Sequence, residues 1–172
     1  QAFARTNGEF VALLNPDTKL LNNIFEMMID FLKSKPEYGA VGPRLIGKDG
    51  LIQYSCARRF PDIYSEILNA IFWRNIPKSL DYEYIGNWDH EDSRDTEAMS
   101  GACMVVKRDL FDDTILHEIY FMYGEDLELC WDIQHSLGKK LYYMSEAHLL
   151  HYGNESGKKR SHSGCILKVK AT

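Results

Sequence analysis

The residues best suited to chemistry are carboxylates and imidazoles that stand beside strongly patterned segments. Asp17 follows the apolar run 10–14 directly, within the turn sequence Asn-Pro-Asp. A carboxylate at the end of a buried strand is well placed to hold a divalent cation against a diphosphate. Mg²⁺ takes oxygen ligands, often one or two carboxylates together with substrate phosphates. The alternative, a plain turn before a helix, is favoured when these residues are taken alone.

Three carboxylates crowd the start of a helix that the sequence predicts over residues 125–137. The helix dipole stabilises each acid there by a few tenths to about 1 kcal/mol, so their presence alone indicates little. Asp126 lies on the face of the apolar stripe, whereas Glu125, Glu128 and Asp132 share a face predicted to be solvated. A carboxylate that begins a buried stripe beside a loop is a candidate general base, and a helix-capping acid is the alternative. The stripe consists of Leu129, Cys130, Ile133 and Leu137.

Two histidines, His148 and His151, are predicted to follow a strand over residues 141–144. A neutral imidazole can ligate a metal ion. A packing or surface histidine is the more common role, and His148 has no further support. His151 is therefore kept as a candidate ligand whose role depends on the rest of the site.

Small residues form a further candidate contact near the start of a strand predicted over residues 97–107. Ser100, Gly101 and Ala102 leave room for a backbone to approach a ligand closely. Tyr123 ends an aromatic stretch that is either core or a wall on which a sugar stacks. None of these signals is specific by itself.

Alternating strands and helices must position these residues. The alternation predicts a mixed α/β sheet, in which ligands bind beyond the carboxyl ends of the strands. A hairpin turn at residues 48–50 predicts a return strand over 53–60, and residues 74–96 are long enough for a functional loop. Residues 156–172 are predicted to form a polar, mobile tail. The other predicted strands cover residues 10–14, 40–46, 97–107 and 141–144, and the helices residues 23–35, 62–73 and 125–137.

Composition narrows the classes of protein. The chain has 172 residues with a net charge of −5, which suits one domain and lacks the basic footprint of a nucleic-acid binder. No apolar run approaches the roughly 18–20 residues that span a bilayer. The four cysteines form no CxxC pair, so the sequence favours buried thiols in a reducing cytosol over a disulfide framework or a zinc site.

Taken in order, the candidate segments resemble family 2 glycosyltransferases of the rhamnosyltransferase-like type. The resemblance covers residues 3–155, and as a set the motifs are specific. They are Gly8-Glu9-Phe10, Leu14-Asn15-Pro16-Asp17, Val41-Gly42-Pro43-Arg44-Leu45, Ser100-Gly101-Ala102-Cys103, Phe121-Met122-Tyr123-Gly124-Glu125-Asp126 and His151-Tyr152-Gly153.

The resemblance implies a partial GT-A fold, that of the nucleotide-diphospho-sugar transferases, with a mixed sheet flanked by helices. It implies a hexosyltransferase-type enzyme that moves a sugar, with rhamnose as our first expectation, onto a hydroxyl of a surface glycan with inversion. Asp17 and His151 are then ligands of Mg²⁺ or Mn²⁺, and Asp126 of the Glu125-Asp126 pair is the base. The implied sugar and acceptor pocket is lined by Ser100, Gly101, Ala102 and Tyr123.

The sequence also departs from the family. Glu128 stands where the family commonly has Asp, and Tyr152 where it commonly has a second histidine. The family begins with a further βαβ unit that binds the nucleotide, so residues 1–155 are expected to be the metal- and acceptor-side portion alone. The alternative function is a non-catalytic fragment that folds or self-associates as a homo-oligomer without binding donor. A sugar nucleotidyltransferase is a third hypothesis, and the expected location is the cytoplasm, at the inner face of the membrane.

Overall fold

A computed structural model describes residues 3–5, 7–71, 85, 88–112, 115–116, 124–153 and 165–168. The strands are β1 (Phe10–Leu14), β2 (Thr18–Leu20), β3 (Tyr38–Ile46), β4 (Arg94–Thr96), β5 (Cys103–Lys107), β6 (Lys140–His151) and β7 (Cys165–Lys168). The α-helices are α1 (Ile24–Ser34), α2 (Ile63–Ile71) and α3 (Glu125–Trp131).

The seven strands form one mixed sheet in the order β2-β6-β3-β5-β1-β7, with β4 also beside β6. The long strand β6 runs parallel to β3 on one side. On its other side it pairs antiparallel with β4 near its start and with β2 near its end. The predicted mixed sheet flanked by helices is confirmed, and it is consistent with a partial GT-A-like fold.

Both faces of the sheet are covered, which explains the continuous apolar run of β1. Phe10 and Ala12 point into the cluster that includes α1, whereas Val11 and Leu13 point into the cluster that includes α3. Because successive side chains of a strand alternate between faces, a strand covered on both sides needs apolar residues at every position.

Helix α1 is built from an apolar residue every fourth position. Ile24, Met28 and Leu32 are at most 1% exposed and pack on the sheet. The helix ends at Ser34, two residues before Pro36, whose ring and missing N–H are incompatible with a further turn. The predicted helix and its end are confirmed.

Several predicted boundaries are wrong. Instead of a return strand, residues 53–60 contain a 3₁₀-helix, Tyr54–Cys56, flanked by isolated bridges at Ile52 and Arg58. The predicted strand 97–107 begins only at Cys103, because Gly101 and Ala102 form a turn.

The elements around α3 and β6 also differ from the prediction. The helix continues as a π-helix over Asp132–Ser136, and Leu137 is 36% exposed rather than buried in the stripe. Gly138, with φ of 62°, ends it as predicted. Strand β6 runs to His151, so both histidines lie within the strand and not after it.

Parts of the predicted loop and tail are described as strands. The predicted loop 74–96 ends in β4, and residues 72–84 lie outside the described residues. Strand β7, from the segment predicted as a tail, pairs antiparallel with β1. Among the described residues, no helix combines the length and apolar character needed to cross a membrane.

Candidate functional site

The pairing of β2 with β6 brings Asp17 and His151 together. Thr18 lies opposite His151 in the ladder, and the N–H of Tyr152 donates to the carbonyl of Asp17 over 2.9 Å. His151 Nε2 consequently lies 3.5 Å from Asp17 Oδ1. The two side chains are only 16% and 13% exposed, so this contact is largely removed from water.

One oxygen of the Asp17 carboxylate has no hydrogen-bond donor among the described residues. Asp17 Oδ1 is buried, and no described group donates to it. A buried polar atom without a partner costs roughly 1–3 kcal/mol, and more when the group is charged. The atom therefore marks a place where a cation would remove an unfavourable interaction.

Gln53 contacts His151, and together with Asp17 these residues form the first half of the site. Its side-chain amide donates to the carbonyl of His151 over 3.0 Å, and its Oε1 lies 2.7 Å from His151 Nδ1. The sequence prediction missed Gln53, because it assigned the residue to a strand and no local pattern marks a glutamine as functional. Its position next to the hairpin turn gives no signal of a contact with a residue almost a hundred positions away.

The second half of the site is the contact of Asp126 with the turn of small residues. The N–H of Gly101 donates to Asp126 Oδ2 over 3.3 Å, and the N–H of Leu127 donates to Oδ1 over 2.9 Å. A Cβ on residue 101 would lie 3.3 Å from the Asp126 Cβ, so a glycine suits this close approach. Gly124, with φ of 99°, turns the chain into α3 just before the acid.

The two halves are connected through the backbone. The N–H of Asn15 donates to the carbonyl of Ala102 over 2.9 Å, and the N–H of Ala102 is bonded to Ser100 Oγ over 3.2 Å. Because β5 runs antiparallel to β1, its start lies beside the end of β1. The predicted residues Asp17, His151, Asp126 and the small-residue turn therefore gather at one end of the sheet.

Glu125 departs from its predicted environment. The face that it shares with Glu128 and Asp132 was expected to be solvated, yet all three are only partly exposed. Glu125 Oε2 is buried and has no hydrogen-bond partner in the described part of the chain. Tyr123, the remaining predicted pocket residue, lies outside the described residues.

The donor set that the structure describes suits a divalent cation shared with a ligand. The described ranges contain no group of three or more His, Cys, Asp or Glu residues that could hold a metal ion. Asp17 and His151 supply two donors. An ion bound through one or two protein ligands keeps other positions for phosphate oxygens and water. The orphaned Oδ1 fits such an ion.

Burial makes the thiols of Cys56, Cys103 and Cys130 poor metal ligands. Burial raises the pKa of the Cys56 thiol to about 11 and those of Cys103 and Cys130 to about 12. These thiols stay protonated near neutral pH, whereas a metal ligand must be a thiolate. The predicted buried thiols are confirmed for these three residues.

A separate cleft of about 570 Å³ lies at the opposite end of β6, between β4 and the π-helix. Arg59, Arg94 and Lys139 are among its lining residues, and no predicted site residue is. The cleft is therefore distinct from the Asp17, His151 and Asp126 end of the sheet.

Comparisons with known proteins bear on the class. No protein-family model matches the chain. The chain is 29% identical over 148 residues to an N-acetylglucosaminyl-diphospho-decaprenol L-rhamnosyltransferase of Mycobacterium tuberculosis, in strains CDC 1551 / Oshkosh and ATCC 25618 / H37Rv. The match covers 84% of this chain and 47% of the relatives, so the chain spans about half their length. This similarity supports a glycosyltransferase-like relationship.

A crystal structure of A197 from STIV was also found in the comparison with solved structures. It aligns at 13% identity with a TM-score of 0.47, over 86% of this chain and 59% of that one.

Proposed function

We propose that the chain carries the metal and acceptor side of an inverting glycosyltransferase of the family 2, GT-A type. One observation carries the proposal: a backbone hydrogen bond from Asn15 to Ala102 joins the Asp17–His151 pair to the Asp126–Gly101 contact at one end of the sheet. The similarity to rhamnosyltransferases supports transfer of a sugar from a nucleotide-diphosphate donor to a glycan acceptor.

Asp17 and His151 would hold the divalent ion, Mg²⁺ or Mn²⁺. When bound, such an ion neutralises charge on the diphosphate and makes it a better leaving group. The N–H groups of Gly101 and Leu127 hold the Asp126 carboxylate in one orientation. A carboxylate whose orientation is fixed by two backbone donors can be aimed at a single acceptor hydroxyl.

Asp126 then acts as the general base. It removes the proton of the acceptor hydroxyl, whose oxygen bonds to the anomeric carbon as the bond from that carbon to the diphosphate oxygen breaks. Attack from the side opposite the diphosphate inverts the configuration in one displacement. Ser100, Gly101, Ala102 and Tyr123 would line the sugar and acceptor pocket, and Glu125 would support the base from the neighbouring position.

The relatives suggest the substrates. They are named as L-rhamnosyltransferases that act on N-acetylglucosaminyl-diphospho-decaprenol. We propose dTDP-rhamnose as the donor, and a lipid-linked acceptor would place the reaction at the inner face of the membrane.

Calorimetric titration of the chain with UDP and dTDP, each with and without Mn²⁺, tests the proposal. Binding that requires Mn²⁺ supports a diphosphate site and identifies the nucleotide. Asp17→Asn, which keeps the size of the side chain but removes its charge, should abolish the Mn²⁺-dependent part of nucleotide binding.

Failure of a demonstrably folded chain to bind either nucleotide would favour the alternative, a non-catalytic chain. Light scattering on the same sample would show whether the chain self-associates.

A further inference from the structure

We propose that Gln53 is a positioning residue that fixes the tautomer of His151, so that the Nε2 lone pair faces Asp17 and is available to a divalent cation. This inference rests on the proposed function for the cation, but its first step concerns the metal-free chain alone. It assigns a role to a residue that lies outside every predicted site motif.

The orientation of the Gln53 amide is determined by the backbone of His151. The side-chain nitrogen lies 3.0 Å from the His151 carbonyl oxygen, which can only accept a hydrogen bond. Exchanging the amide oxygen and nitrogen would put two acceptors at that distance. The amide NH₂ therefore faces the carbonyl, and Oε1 faces the imidazole.

The orientation of the amide in turn determines where the ring proton lies. Gln53 Oε1, 2.7 Å from His151 Nδ1, can only accept, so Nδ1 must carry the hydrogen. A neutral imidazole has one N–H, so Nε2 bears a lone pair. Metal-binding histidines are commonly oriented in this way, by a hydrogen bond from the other ring nitrogen.

The Nε2 atom of His151 lies beside an unsatisfied acceptor of Asp17. His151 Nε2 lies 3.5 Å from Asp17 Oδ1, which receives no hydrogen bond within the described part of the chain. Two bonds of about 2.0–2.1 Å to one ion allow donor atoms up to about 4 Å apart. The two atoms therefore match donors that share one cation.

Gln53 is itself held on both sides. Its N–H donates to the Leu45 carbonyl over 2.9 Å, and its own carbonyl accepts from the N–H of Cys56 over 3.0 Å. These bonds fix the residue between the end of β3 and the 3₁₀-helix. The backbone that carries the amide is therefore held by β3 and by the 3₁₀-helix.

The first arm of the test measures the tautomer of the metal-free chain by long-range ¹H–¹⁵N NMR at about pH 8.5, well above the ordinary histidine pKa. We expect wild-type His151 to carry its proton on Nδ1. Gln53→Met, of similar length without hydrogen-bonding atoms, should give a mixture of tautomers or the Nε2–H form. The matched control is Gln134→Met, because Gln134 also donates to backbone carbonyls but lies away from the site. It should leave the His151 signals unchanged.

The second arm measures Mn²⁺ affinity by electron paramagnetic resonance. Loss of a residue that orients a ligand typically lowers metal affinity by about 10- to 100-fold, so Gln53→Met should do so and Gln134→Met should not. An Nε2–H tautomer in the wild type, or unchanged tautomer and affinity in Gln53→Met, overturns the proposal. If the wild-type chain has the expected tautomer but binds no Mn²⁺, the metal-binding role of Gln53 and of the whole site is overturned. The conclusion that Gln53 determines the tautomer of His151 would then still hold.

Discussion

Asp126 and Asp17 are both carboxylates at the same end of the sheet, but their surroundings differ. Both oxygens of Asp126 accept backbone hydrogen bonds, from Gly101 and Leu127. Asp17 Oδ1 accepts none from the described residues. A carboxylate held by neutral donors is suited to handling a proton, whereas one with an unsatisfied buried oxygen is suited to a cation. Substitution of Asp126 should therefore change the transfer rate, whereas substitution of Asp17 should change stability and Mn²⁺ binding.

Asp126→Asn should lower the rate of transfer from dTDP-rhamnose by about 10²–10⁴-fold, the usual contribution of a general base. Donor affinity, measured by calorimetry, should change little, because the side chain has the same size and Asp17 and His151 are untouched. Transfer at the normal rate would show that Asp126 is not the base.

Asp17→Asn should stabilise the metal-free chain and weaken its binding of Mn²⁺. Removing a buried charge whose Oδ1 accepts no hydrogen bond from the described residues relieves a desolvation penalty, so we expect a gain of about 1 kcal/mol, or roughly 2–4 °C in Tm. Thermal unfolding in the presence of a chelator measures this effect. Asp30→Asn, at an exposed position of α1, is the matched control and should leave Tm unchanged. A lower Tm for Asp17→Asn would indicate a structural role in the turn.

At the scale of elements, the π-helix packs against the start of β3. A Cβ at Gly39 would lie 2.7 Å from Ile133 Cγ2, 2.9 Å from Leu110 Cδ1 and 3.0 Å from Lys139 Cβ. Ile133 is fully buried and the Lys139 Cβ is attached directly to the backbone, so these two neighbours cannot move away easily. This contact limits how closely the helix that begins at Glu125 sits on the sheet.

Gly39→Ala should therefore destabilise the chain by about 1–3 kcal/mol, the usual cost of overpacking a core. Gly42→Ala is the comparison within the same strand, because its nearest contact is the flexible end of Met99, at 2.6 Å from Sδ. Urea denaturation should show the smaller loss for Gly42→Ala. Equal losses would contradict the packing argument.

The segment that leads into β4 is anchored by a buried histidine. His90 is fully buried and stacks on Trp88, with Nε2 lying 2.8 Å from the Ala57 carbonyl oxygen. Burial lowers the pKa of His90 below the ordinary histidine value, against the opposing effect of its backbone hydrogen bonds. As the pH falls, His90 is therefore protonated in the unfolded chain before it is protonated in the folded chain.

The free energy of unfolding should consequently decrease as the pH falls below about 6.5. Above that pH His90 is neutral in both the folded and the unfolded chain, so it causes no loss of stability there. Urea denaturation between about pH 5 and 8 measures the slope. His90→Gln keeps hydrogen-bonding capacity without titrating, so its slope should be shallower even if the variant is less stable. An identical slope in both proteins would exclude His90 as the source.

At the scale of the whole molecule, two apolar layers hold the sheet, and the site lies at one end of it. The layers join β1 to α1 on one face and to α3 on the other. A ligand bound at that end would contact the ends of β1 and β6 and the start of β5 together. Its binding should therefore stabilise the entire sheet against unfolding.

Mn²⁺ and dTDP added together should raise the free energy of unfolding by about 2.7 kcal/mol at 100 times the dissociation constant. Either one alone should have a smaller effect, because the proposed ion would have only two protein ligands among the described residues. The measurement is Tm against ligand concentration. A folded chain whose Tm is insensitive to both would bind no donor.

The sequence by itself determined the long elements and the mixed sheet. The strand at 10–14 and the helix after Asn23 were predictable because each buries a regular apolar pattern. It also singled out Asp17, Asp126, His151 and the small-residue turn as chemical candidates. Their assignment to metal binding and base catalysis stays a prediction.

Only the tertiary structure decided how these candidates meet. Strand β2 has three residues, and the last part of β6 extends seven residues beyond Met144 to His151, so the pairing that joins Asp17 to His151 left no local pattern. Gln53 reaches His151 across a sequence separation of 98 residues. Short strands and single amide contacts are stabilised by partners that are distant in the chain. Hydrophobic periodicity reflects only residues that are close in sequence, so it cannot predict such contacts.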